Sequence, residues 1–158
     1  MVVTKDHLAG TALMPEQLLP EVALTDAGSG EPWRPSELRQ RSAVVLCFLH
    51  ARCDACARTV AQLAEREEAI RRADAQVRVV LPEAVDGPFP CADGAYRVMV
   101  DEDGQARERM LGPDGRLPTV LVADRYTAVV ESFPAPDHRF PDPDEVVDTL
   151  RYVACDCS

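Results

Sequence analysis

Ala43-Val44-Val45-Leu46-Cys47-Phe48-Leu49 is followed, after only His50-Ala51-Arg52, by Cys53-Asp54-Ala55-Cys56, and this junction decides how the chain is read. Seven residues without a polar side chain are what a strand buried on both faces of a sheet requires. Past Cys53 the period changes. Cys56, Val60, Leu63, Ala64 and Ile70 recur at three- and four-residue spacing while Arg58, Glu65, Arg66, Glu68 and Arg72 take the other side, which predicts one amphipathic helix over 54–73. A central strand thus delivers two cysteines to a helix start.

On the N-terminal side, residues 1–20 read as a lead-in. Val22 and Leu24 alternate with polar neighbours as a strand, and Pro35-Ser36-Glu37-Leu38-Arg39 predicts a short helix with proline in its first turn. On the C-terminal side, Val77–Leu81 is a strand stopped by Pro82, Tyr96–Val100 a short strand, and Gln105–Leu111 a brief helix. Thr119–Ala123 and Ala128–Phe133 form a hairpin. Asp142-Pro143-Asp144-Glu145 supplies an N-cap acid, a proline at the first helical position and a glutamate at the third, ahead of the apolar stripe Val146, Val147, Leu150 and Val153. Strand-helix-strand early and hairpin-helix late make an α/β architecture, a central sheet flanked by helices.

At 158 residues and 46% apolar content the chain is expected to form a single domain, 1–158. A net charge of −10 argues against nucleic acid as a partner. The longest apolar run is far short of a bilayer span, and Lys5, Asp6 and His7 stand where an export signal needs apolar residues, so no membrane partner and a cytoplasmic location are expected. Six cysteines grouped as 53/56 and 155/157, with Cys47 and Cys91 apart, do not make a disulfide scaffold. Catalysis or metal binding suits them better.

A cysteine at a helix start meets unsatisfied N–H groups and the positive end of the helix dipole, both of which favour a thiolate. Arg52 is an auxiliary cation beside it, whereas Asp54 opposes the charge. Cys56, one turn inside, is within reach of Cys53 but less exposed. Cys53 is therefore assigned as nucleophile and Cys56 as the resolving thiol. His50 is a candidate proton shuttle or, equally, a structural histidine. Cys47 reads as a small buried hydrophobe, Cys91 as a loop cysteine and Trp33 as a packing residue. His7 and His138 receive no role. Residues 154–158 read as a tail beyond the last helix, from which Cys155 and Cys157 would exchange electrons with the first pair. No cofactor is needed for dithiol chemistry; the alternative is zinc held by Cys53, Cys56, Cys155 and Cys157.

Taken together, Ser36–Arg39 before Val44–Leu46, Cys53–Cys56, Phe89-Pro90-Cys91-Ala92-Asp93 and Leu117-Pro118-Thr119 resemble the thioredoxin superfamily. Within it, the match is to the redoxin branch of peroxiredoxins and the peroxiredoxin-like alkyl hydroperoxide reductase/thiol-specific antioxidant group. The resemblance implies a thioredoxin-like fold and a cis peptide at Leu117-Pro118. It also implies that Leu117, Pro118 and Thr119 line the cysteines and bind the substrate backbone. Where peroxiredoxins carry Thr or Ser three residues before the reactive cysteine and Pro four further back, this chain has His50 and Leu46; where thioredoxins carry Trp and Gly-Pro, it has Arg52 and Asp54-Ala55. The expected function is thiol–disulfide oxidoreduction on a protein or small-molecule disulfide, with a thiol reductant as partner. A thiol peroxidase acting through Cys53 is the first alternative, and a non-enzymatic zinc- or partner-binding redoxin the second.

Overall fold

A computed structural model describes residues 13–83, 96–113 and 117–156, with residues 155 and 156 described by backbone alone. Seven strands form one mixed sheet in the order β2-β1-β5-β4-β3-β6-β7. They are β1 Leu24–Asp26, β2 Pro32–Trp33, β3 Ala43–Phe48, β4 Ala75–Leu81, β5 Arg97–Val100, β6 Thr119–Ala123 and β7 Val129–Pro134. The helices are α1 Asp54–Ala64, α2 Glu67–Arg72, α3 Gln105–Leu111 and α4 Pro143–Asp156, with a 3-10 turn at Pro35–Leu38. β3 lies parallel to β4 and antiparallel to β6, and β4 lies parallel to β5.

The apolar run works as its composition demands. Val45, Cys47 and Leu49 enter one core with Val60 and Leu63 of α1, Ile70 of α2, and Val146, Val147 and Leu150 of α4. Val44, Leu46 and Phe48 enter the other with Trp33, Leu38, and Ala106, Met110 and Leu111 of α3. Strand alternation at period two sends successive side chains to opposite faces, so a strand covered on both must be apolar throughout. Trp33 packs as expected, though as part of β2, a strand the sequence did not reveal.

The single helix expected over 54–73 is two helices. Glu65 and Arg66 interrupt it where the Leu63 carbonyl accepts both the Arg66 N–H at 2.9 Å and the Tyr96 hydroxyl at 2.8 Å. No proline or glycine marks the site. A distant tyrosine helps hold the tightened turn. The last helix is capped as its sequence prescribes: the Asp144 N–H donates to the Asp142 carboxylate at 2.9 Å and the Asp142 N–H to the Glu145 carboxylate at 3.2 Å. It runs to Asp156, which corrects the reading of 154–158 as a tail, because Cys155 lies in the helix's last turn.

Candidate active site

Backbone hydrogen bonding builds the site at the C-terminal end of β3. Cys53 is the N-cap of α1, with extended φ −151° and ψ 113°, and its sulfur accepts the Cys56 N–H at 3.2 Å. This is the capping role of serine or aspartate taken over by a thiol. The Cys53–Cys56 pair stands at 2.7 Å. Cys53 is half-buried and Cys56 fully buried. Burial pushes the Cys56 thiol up to about 12, and its hydrogen bond to the Cys53 sulfur acts in the same direction. Cys56 is thus a proton holder, and only Cys53 presents sulfur to the outside. Cys47 lies beneath in the core, likewise pushed up to about 12 by burial and then by Cys56.

The proline loop reaches the same end of the sheet. The Leu117-Pro118 peptide is cis, and Thr119 pairs with Phe48, the last residue of β3. The Pro118 carbonyl accepts the Ala135 N–H at 2.8 Å, and the Ala135 carbonyl accepts the His138 N–H at 2.8 Å, closing a turn through Pro136 and Asp137. That turn delivers His138. Its ring stacks on His50 with centroids 5.6 Å apart and planes 28° from parallel, and Phe140 meets its edge at 6.3 Å. A His138 ring nitrogen and the sulfurs of Cys53 and Cys56 all lie within 4.8 Å of one another.

His138, which the sequence gave no role, therefore belongs to the cysteine cluster. The signal was available in the hairpin register. If β6 starts beside the end of β3, the loop after β7 must return to that end, bringing its histidine along. His50 stands at the cluster's rim, half-buried, and Arg52 is exposed beside Cys53. Cys155 is not brought to the site. The neighbouring Ala154, with Leu150 and Val153, gathers around Ala43 and Ala73 at the start of β3, so the length of that strand, about 20 Å, separates the helix end from the sulfur pair. The electron relay expected from a flexible tail gives way to a helix whose end lies by the start of β3. Phe89–Asp93, with Cys91, and the residues His7 and Cys157 lie outside the described residues.

Comparison with known proteins is informative at the level of structure alone. No family model matches the chain, and no curated protein matches it. Solved structures do match, among them the following. A Chlorobium tepidum protein assigned as the thiol:disulfide interchange protein DsbE aligns with TM-score 0.69 and 20% identity, over 90% of this chain and 99% of that one. The fold is thioredoxin-like. Peroxidoxin BcpB from Mycobacterium tuberculosis aligns with TM-score 0.70 and 20% identity, over 89% and 98% of the two chains. AhpC from the same organism aligns with TM-score 0.74 and 13% identity, over 92% and 95%. The names of these neighbours cover both disulfide interchange and peroxidoxin proteins, and at such identities the likeness shows the fold. Among the described residues no helix is long and apolar enough to cross a membrane.

Proposed function

We propose that the protein is a thiol–disulfide oxidoreductase in which Cys53 attacks and Cys56 resolves. The observation that carries this reading is the asymmetry of the pair: Cys53 half-buried at the helix start, Cys56 buried, protonated and hydrogen-bonded to it. The Cys53 thiolate attacks a substrate disulfide, forming a mixed disulfide and releasing one substrate sulfur as thiolate. Cys56 then gives up its proton and attacks the Cys53 sulfur, which releases the second substrate thiolate and leaves a Cys53–Cys56 disulfide. Two electrons pass from the dithiol to the substrate, and an external thiol reductant restores them. His138 is the acceptor for the Cys56 proton, since histidine exchanges protons near neutral pH and its ring nitrogen lies within 4.8 Å of that sulfur. Leu117, Pro118 and Thr119 are assigned to the substrate backbone, on the cis-proline loop that enters β6 beside the last residue of β3. A reducing compartment such as the cytoplasm would keep the pair in its attacking form.

The test is reduction of insulin or of a dithiol reporter. Cys53→Ser is expected to abolish turnover, and Cys56→Ser to accumulate a mixed disulfide visible by mass spectrometry. A Cys53→Ser variant as active as the parent would refute the assignment. Peroxide consumption measured by stopped flow separates the peroxidase alternative, which requires a rate above that of a free thiol.

A second reading, zinc binding, is favoured by one specific observation: two sulfurs and an imidazole nitrogen within 4.8 Å of each other. Tetrahedral zinc with bonds near 2.3 Å to sulfur holds its sulfurs about 3.8 Å apart, so modest side-chain rotation would make Cys53, Cys56 and His138 three ligands. This set replaces the one expected from Cys155 and Cys157. Metal analysis of protein purified without chelator is expected to show stoichiometric zinc on this reading, lost in both Cys56→Ala and His138→Ala. Retention of zinc in either variant would exclude these ligands.

A further inference from the structure

At the opposite end of the sheet, β5 pairs with β4 only from Arg78 onward, where Arg78 faces Arg97. Ala75, Gln76 and Val77 therefore have no strand beside them on that side among the described residues. The resulting notch has a volume of about 750 Å³ and is lined by Trp33, Arg41, Arg71, Arg78 and Arg97 together with Glu37 and Glu67. In a chain with 17 basic and 27 acidic residues, four arginines against two glutamates are a local reversal of charge.

Arg78 is the unusual member. It is 9% exposed, and among the described residues its Nε has no hydrogen-bond partner and its guanidinium makes one weak bond, from Nη1 to the Val77 carbonyl at 3.4 Å. Its guanidinium lies 5.3 Å from the Trp33 ring centroid, a cation–π contact that covers a face but leaves the donors along the edge unused. Burial, then the neighbouring Arg97, lowers its affinity for its own proton. The carboxylates of Asp26 and Glu37 offset part of this, but among the described residues neither forms an ion pair with Arg78. Glu67 pairs with Arg71 at 3.2 Å, Glu37 accepts the Arg34 N–H at 3.0 Å, and Arg97 is shared with Asp26 at 3.4 Å. Arg41 forms no ion pair among the described residues. A buried charge without a partner is strongly unfavourable unless something else supplies the opposite sign.

The geometry points to an anion site in this notch, in which Arg78 and Arg41, with Arg71 and Arg97 at the rim, hold a polyvalent oxyanion on a small molecule. Forked guanidinium donors match the oxygen spacing of phosphate and carboxylate groups, and the cavity has the size of a small-molecule cleft. Phosphate and carboxylate share that chemistry. None of the lining residues belongs to the cysteine cluster, so the site is separate from the redox chemistry and stands whether or not the proposed function does.

Calorimetric titration of the full chain with pyrophosphate, inorganic phosphate and citrate tests it. Pyrophosphate is expected to bind one to one, at least about tenfold more weakly in Arg78→Gln and more weakly in Arg41→Gln, with Arg151→Gln, a distant exposed arginine, unchanged. Citrate binding that exceeds pyrophosphate binding with the same dependence on Arg78 and Arg41 would assign the ligand as a polycarboxylate. Absence of heat with all three anions at 10 mM, on the order of the weakest useful affinity, would overturn the site, as would equal loss in Arg151→Gln. Arg41→Gln changes an exposed side chain and decides the matter alone if Arg78→Gln does not fold.

Discussion

The cysteine end of β3 and the notch beside β4 carry charge-capable groups under opposite rules. At the C-terminal end of β3, every reactive group has a neighbour of matching chemistry: the Cys56 N–H caps the Cys53 sulfur, the Cys56 thiol is bonded to it, and His138 stacks on His50. Midway along β4, where β5 begins to pair with it, Arg78 is buried with its Nε unpartnered among the described residues and another arginine opposite in register. A cluster satisfied from within is arranged to rearrange its own bonds, as a dithiol does. A cluster left unsatisfied is arranged to receive something from outside. The same sheet serves both because β3 ends at the cysteines, while β5 starts only at Arg78 and leaves the first half of β4 open on that side.

The comparison breaks most visibly at His138. If the sulfur end works as a paired set, His138→Ala slows resolution of the mixed disulfide by about tenfold to a hundredfold near neutral pH, while formation of that disulfide by Cys53 keeps its rate. Single-turnover kinetics with a chromogenic disulfide separate the two steps. Equal slowing of both would reduce His138 to a structural residue.

A smaller effect sharpens the contrast through stability. Cys47 and Cys56 hold their protons more tightly in the folded chain than the ordinary 9.0, so their contribution is full below pH 9 and is lost as pH rises from 9 toward 12. For the wholly buried Cys47 the loss is about 1.4 kcal/mol for each pH unit above 9, with Cys56 adding in the same direction. Urea unfolding of the reduced protein at pH 8 and pH 10 is expected to show the drop, and Cys47→Val to lessen it. An equal drop in Cys47→Val would mean that Cys47 does not contribute.

The smallest effect concerns the link between the two regions. Tyr96 lines the arginine notch and donates its hydroxyl to the Leu63 carbonyl where α1 gives way to α2. Tyr96→Phe is expected to cost about 1 kcal/mol of stability with the rate of insulin reduction unchanged. A matching loss of turnover would show that the two regions are coupled through α1.

Most strands and helices were legible because each is dominated by one local rule. The unbroken apolar run of β3, the three-and-four spacing of α1 and the Asp142-Pro143-Asp144-Glu145 cap each specify their own geometry. The break at Glu65 and Arg66 was not legible, since the Tyr96 hydroxyl that occupies the Leu63 carbonyl comes from 33 residues away. β2 was missed because two residues carry too little pattern to stand out. At the site, the cysteine pair was read from its place at a strand-to-helix junction, whereas His138 was passed over because nothing beside it in sequence marks a partner.

By itself, the sequence determined that a strand buried on both faces would present Cys53 at a helix start with Cys56 one turn behind, because period and capping act over a few residues. Only the tertiary structure decided that His138 would meet those sulfurs, that Cys155 would end far from them, and that Arg78 would be buried opposite Arg97. Those outcomes depend on strand register, which sums contacts across the whole sheet and is written in no single stretch of the chain.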